Sequence, residues 1–118
     1  MGLVQIANER NSIVIGDRIS IAGSSLTRLF GLLGKRQLDA GEGLWILPSS
    51  GVHTFGMKFA IDVIGLDRND EVIRLWRQLV PYRATGMSLR LASVIELPLG
   101  RIAACDVRLG DKLAITAP

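Results

Sequence analysis

The sequence predicts a mainly β fold, a compact and mostly antiparallel β sandwich or barrel with one short helix packed across it. Three observations carry this reading. About eight short apolar or alternating segments are separated by clusters of Gly, Asp, Asn and Pro; one stretch alone repeats apolar residues at helical spacing; and strands do not alternate with helices as a doubly wound parallel sheet requires. With 118 residues, 48% apolar and 21% charged, the chain fits a single domain spanning 1–118. A chain of this size can bury roughly two-thirds of its unfolded surface, so it needs no disulfide or metal to hold a core.

The opening stretch alternates loosely through Val4 and Ile6. Ile13 to Ile15, the pair Gly16-Asp17 and Arg18 to Ala22 then read as two strands joined by a tight turn, since Gly-Asp reaches positive φ cheaply. Leu26, Leu29, Phe30 and Leu33 follow an i, i+3, i+4, i+7 series, with Ser24 or Ser25 as the cap in front and Gly34 behind. This predicts the helix. It is too short to stand alone and must lay its Leu/Phe stripe on a sheet.

Leu44 to Leu47 is an apolar run stopped by Pro48-Ser49-Ser50-Gly51, a buried strand and then a loop. Val52 to Leu66 reads as a strand, and the polar cluster Asp67-Arg68-Asn69-Asp70 turns it into a second hairpin with Glu71 to Leu79. Pro81 to Ser88 reads as loop, and Leu89 to Leu97 as a strand ending at Pro98 and Gly100. Ile102 to Val107 is expected as a buried strand, followed by a Gly110-Asp111 turn and a last strand from Lys112 to Thr116.

Composition narrows the chemistry. The single Cys105 forms no internal disulfide, and one cysteine with one histidine falls short of a structural zinc set. No apolar run approaches the roughly 20 residues that span a bilayer. The amino-terminal residues carry no basic segment ahead of a long apolar one and no plausible cleavage site, so a cytoplasmic location is expected. Cys105 among Ile102, Ala103 and Ala104 reads as core rather than nucleophile, and no serine lies in a Gly-x-Ser-x-Gly elbow. No cofactor motif is present: Gly31-Leu32-Leu33-Gly34 is a helix end, not a phosphate loop.

Basic residues number 14 against 11 acidic, eleven of them arginine. Arginine favours bidentate recognition of phosphate or carboxylate. Arg74, Arg77 and Arg83 stand near Trp76 and Tyr82, the one place where aromatics interleave with arginine, and form a candidate anion-binding band. The plainer reading of the same residues is a solvated face, and support for nucleic acid goes no further than this band.

Several motifs occur in order. Leu26-Thr27-Arg28-Leu29-Phe30-Gly31-Leu32-Leu33-Gly34-Lys35 precedes Gly41-Glu42-Gly43-Leu44-Trp45-Ile46, and His53-Thr54-Phe55-Gly56-Met57-Lys58-Phe59 leads into Ala60-Ile61-Asp62-Val63-Ile64. Val94-Ile95-Glu96-Leu97-Pro98-Leu99-Gly100 and the late Gly110-Asp111 complete the set. From about 26 to 113 the chain resembles the domain of unknown function 192 family, an uncharacterised ancient conserved region with bacterial-type members. Gly56 stands where many members have Trp, and the extended amino-terminal signal of many members does not appear. The resemblance implies a β sandwich of jelly-roll type with a short helix, and it implies no activity.

The segment 53–62 is the candidate site. As a continuous strand it puts His53, Phe55, Met57, Phe59 and Ile61 on one face and Thr54, Lys58 and Asp62 on the other. His53 would be a switchable ligand-facing group with Met57 beside it, and Lys58 an anchor for an anion. The structural alternative makes His53 a loop-end histidine bonded to backbone and Lys58 a surface residue. Lys58 and Asp62 lie about 13 Å apart along a strand, too far to form an acid/base pair directly.

Two functions follow. The first is a noncatalytic binding or interaction domain for a small anion, a polysaccharide or a protein partner, with pairing of two copies through an edge strand also open. The second is an enzyme in which His53 and Lys58 work with Asp62 or Glu96 brought near by folding. Proximity of these groups around a pocket separates them.

Overall fold

The computed structural model describes residues 2–22, 38–49, 59–79 and 88–118. The expected helix over 24–34, the 52–58 part of the strand expected over 52–66 and all but Ser88 of the loop expected over 81–88 lie outside them. Among the described residues there are seven strands: β1 (Leu3–Asn8), β2 (Val14–Ala22), β3 (Glu42–Ile46), β4 (Ile61–Leu66), β5 (Val72–Leu79), β6 (Ser93–Pro98) and β7 (Leu113–Thr116). One turn of helix, α1 (Arg101–Ala104), sits between the last two.

All seven strands share one sheet in the order β5-β4-β6-β3-β2-β1-β7. Every pairing is antiparallel except β2 with β3, which run parallel from Arg18↔Glu42 to Ala22↔Ile46. The sheet curls until its edge strands meet at one corner. There Glu71 bridges Lys112, the Val72 N–H donates to the Asp111 carbonyl (2.8 Å), and the Gly110 N–H donates to the Val72 carbonyl (2.8 Å). The described residues form a mainly β half-barrel with one short helix.

Strand alternation sends two apolar sets to opposite faces. Inside the curl, Ile6, Ile15, Ile19, Ile64, Leu66, Val72, Ile95, Leu97 and Leu113 pack with Ile102, Cys105 and Val107. On the other face Ala22, Leu44, Ile46, Ile61, Val63 and Val94 form a second cluster with Leu38, Phe59, Trp76 and Leu79. Burial on both faces explains why β4 and β6 read as near-continuous apolar runs.

The second hairpin turns at Asp67 to Asp70 as expected. Asp67 Oδ1 accepts from the N–H groups of Asn69 (2.8 Å) and Glu71 (3.0 Å), the job that favours Asp in turns. The opening hairpin differs from expectation. β2 runs unbroken through Gly16-Asp17, and the turn lies at 9–12, where the Asn8 N–H donates to the Ile13 carbonyl. Gly16 serves instead at a bulge, where the register steps from Val4↔Ile19 to Ile6↔Gly16 and any Cβ would run into Ile19 Cδ1.

Two further segments depart from the sequence reading. Ile102 to Val107 is not a strand. Gly100 turns the chain at φ 85°, α1 follows, and Cys105 lies buried in the turn after it. The expected strand over 89–97 begins only at Ser93, because the Leu91 N–H donates back to the Ser88 carbonyl and closes a turn first.

At Gly43 three strands come too close for a side chain. A Cβ there would stand 2.6 Å from the Glu96 carbonyl oxygen of β6 and 2.8 Å from Ile19 Cδ1 of β2. Gly43→Ala is expected to cost about 1–3 kcal/mol through overpacking. An unchanged urea midpoint would show that β3 can move away from β6.

Candidate functional site

The carboxylates named by the sequence separate on folding. Asp62 on β4 pairs with Leu97, while Glu96 pairs with Val63 and Leu44. Residues opposite each other in a ladder share a face, so Asp62 and Glu96 stand on opposite faces of the sheet. No single pocket can use both.

Asp62 is 1% exposed, and both of its oxygens have main-chain partners. Oδ2 accepts from the Ile102 N–H at 2.9 Å, which anchors the start of α1, and Oδ1 accepts from the Gln78 N–H at 3.1 Å. Gln78 has φ 55° and sits where the β4–β5 register shifts between Ile61 and Val63, so Asp62 also fixes a β bulge. This geometry fits a scaffold group. Glu96 is fully buried between Leu44 and Val63 on the second face.

Asp111 is a third buried carboxylate, and it ties both ends of the chain together. Its Oδ2 accepts from Asn8 Nδ2 (2.7 Å) and the Arg108 N–H (2.8 Å), and its Oδ1 from Arg10 Nε (2.8 Å). Burial works to raise its pKa, but the hydrogen bonds from Arg10, Arg108 and Asn8 outweigh that and hold it below the usual carboxylate value. Nearby Asp106 is exposed and is also lowered, chiefly by the Arg108 hydrogen bond. Cys105 is 1% exposed, and burial pushes its thiol up against the opposing pull of Arg101, the setting of an inert core cysteine.

Of the proposed anion band, Arg74 and Arg77 are exposed on edge strand β5. Arg74 lies opposite Gly65 and Trp76 opposite Val63, so Arg74 and the indole share a face. Arg74 Nη1 donates to the Ile73 carbonyl at 2.8 Å, and neither arginine makes an ion pair among the described residues. Arg83, His53, Met57 and Lys58 lie outside the described residues. Among the described residues, no three His, Cys, Asp or Glu side chains gather as a metal site, and no helix is long and apolar enough to cross a membrane.

Sequence reasoning missed one feature. A cleft of about 520 Å³ opens between the 67–70 turn and the 88–91 turn, lined by Asp67, Arg68, Asn69, Leu89, Arg90 and Leu91. Arg68 reads as a turn residue and Arg90 as part of the expected strand over 89–97, and only the pairing of Leu66 with Ser93 brings the two turns together.

A family model described as an uncharacterized ACR, that of the domain of unknown function 192, matches residues 5–115. The chain belongs to the domain of unknown function 192 family. The match extends beyond the 26–113 span legible from motifs and takes in most of β1 and most of β7. The UPF0127 protein PF1050 of Pyrococcus furiosus is 36% identical over 80 residues, which cover 59% of this chain and 64% of that relative. Thus the match to this curated relative spans less than two thirds of its length.

Two crystal structures share the fold of this family member. A protein of unknown function from Novosphingobium aromaticivorans DSM 12444 superposes with a TM-score of 0.78 at 21% identity, covering 95% of this chain and 83% of the other. A Sinorhizobium meliloti 1021 protein, provisionally described as a transcription regulator, gives a TM-score of 0.78 at 17% identity, covering 98% and 96%.

Two predictions concern the buried carboxylates. Asp62→Ala strips the acceptor from two main-chain N–H groups and is expected to cost about 2–6 kcal/mol, at about 1–3 kcal/mol for each group left unsatisfied. Loss of less than about 0.5 kcal/mol in urea denaturation would remove Asp62 from the scaffold. Asp111, held lower in the fold than in the unfolded chain, adds stability above its unfolded pKa that is lost as pH falls through its folded one. Urea midpoints should therefore fall steeply below about pH 4, and more shallowly in Asp111→Asn. Equal acid slopes would exclude this linkage.

Proposed function

We propose that this family member is a noncatalytic binding domain that takes an anionic partner along edge strand β5. The observation that carries the reading is the pair Arg74 and Arg77, exposed beside Trp76 and without an ion pair among the described residues. Arginines left unneutralised on an edge strand offer forked donors to phosphate or carboxylate at little desolvation cost. Arg83 extends the band in the sequence, and His53, Met57 and Lys58 are taken as ligand-facing residues of the segment that enters β4. The provisional description of the Sinorhizobium meliloti structure as a transcription regulator makes nucleic acid the first polyanion to try.

The reading treats 1–118 as one domain with a jelly-roll-type winding, supported by the family match over residues 5–115. A catalytic alternative with His53 and Lys58 would draw its carboxylate from Glu96, which is wholly buried on the second face, rather than from Asp62.

Binding to duplex DNA and to heparin over a salt series tests the main reading. The unsubstituted chain should bind with affinity falling as salt rises, and Arg74→Glu with Arg77→Glu should weaken it and flatten the log–log salt slope by about 1–2. Absence of binding at low salt, or an unchanged slope in the double variant, would sink the β5 surface.

A further inference from the structure

We propose that the cleft between the 67–70 and 88–91 turns is a second site, for a small phosphate monoester that carries free hydroxyl groups. Its walls are fixed before any ligand arrives. On one side Asp67 Oδ1 accepts from the N–H groups of Asn69 and Glu71, and the Asp70 N–H donates to the Asp67 carbonyl at 3.1 Å. On the other, the Arg90 N–H donates to Ser88 Oγ at 3.2 Å and the Leu91 N–H to the Ser88 carbonyl. The Ala92 N–H joins the walls by donating to the Leu66 carbonyl at 2.9 Å. Rigid walls lower the ordering cost of binding.

The lining sets the ligand class. Arg68 and Arg90 are exposed, one from each turn, and neither forms an ion pair among the described residues. Two guanidinium groups at one cleft match the oxygens of a phosphate. Asp67 lines the same cleft and brings carboxyl oxygens that accept from a ligand hydroxyl, whereas bare phosphate offers them little. Leu89, wholly exposed, offers an apolar flank to the body of the ligand. A cleft of about 520 Å³ lies within the range of small-molecule sites, about 300–1,000 Å³. Bare phosphate would leave most of it to water.

The site uses none of the β5 arginines, so its test is independent of theirs. Isothermal titration with ribose 5-phosphate, inorganic phosphate and ribose is the experiment. Ribose 5-phosphate should bind with one site and more tightly than either fragment. Arg68→Ala and Arg90→Ala should each weaken it by about tenfold, the loss of one charge-assisted contact. Asp67→Asn keeps the Oδ1 acceptor that holds the turn and should narrow the preference for ribose 5-phosphate over inorganic phosphate. The Arg74→Glu, Arg77→Glu variant should bind ribose 5-phosphate unchanged even where it loses polyanions. No binding at millimolar ribose 5-phosphate, or equal affinity in an Arg68→Ala, Arg90→Ala variant with an unchanged melting temperature, overturns the site. Inorganic phosphate binding as tightly as ribose 5-phosphate overturns the hydroxylated class.

Discussion

The curl of the sheet depends on Asp111. Its carboxylate takes hydrogen bonds from the end of β1 through Asn8, from the following turn through Arg10, and from the approach to β7 through the Arg108 N–H. Its own carbonyl accepts from Val72 at the start of β5. One residue therefore stands where both edges of a seven-stranded sheet come together. Gly110, at φ 89°, gives the chain the backbone conformation that lets Asp111 reach this corner.

Asp62 performs the matching task at the other end of β4, where it holds α1 and the β5 bulge. Asp62 takes two N–H donors and Asp111 three, which is how buried carboxyl oxygens are made tolerable. Main-chain donors fix the backbone as well as the charge, so a single aspartate positions two elements that share no hydrogen-bond ladder. This division leaves the two proposed recognition surfaces to arginine, on β5 and on the turns beside it.

The sequence announced the second hairpin, the strand stopped by Pro48, the end of β6 at Pro98 and the late Gly-Asp turn, because each is marked by residues with local reasons to turn. It misled at Gly16-Asp17, where the same residue types make a bulge: turn and bulge both call for glycine, and only the facing strand decides between them. It misled again at 102–107, since a four-residue helix has no period to display and is held by Asp62, forty positions earlier. The same limit applies to the candidate sites. Arg74 and Arg77 lie three apart on an edge strand and are exposed together where strand alternation alone would separate them, and the cleft of Arg68 and Arg90 comes from two turns that only the β4–β6 register brings side by side.

The pairing of β1 with β7 also bears on how the chain folds. Asn8 and Asp111 are 103 positions apart, and Gln5 faces Thr116 across the ladder. Contacts of such separation must meet the loop-closure entropy before they return any stability, so seating β7 belongs among the late events, after the local β4–β5 hairpin. Until then β1 has one bare edge able to pair with another molecule. The same adjacency means that a short tether between the strands would turn the most distant pairing in the fold into a local hairpin, with new ends opened elsewhere in the chain.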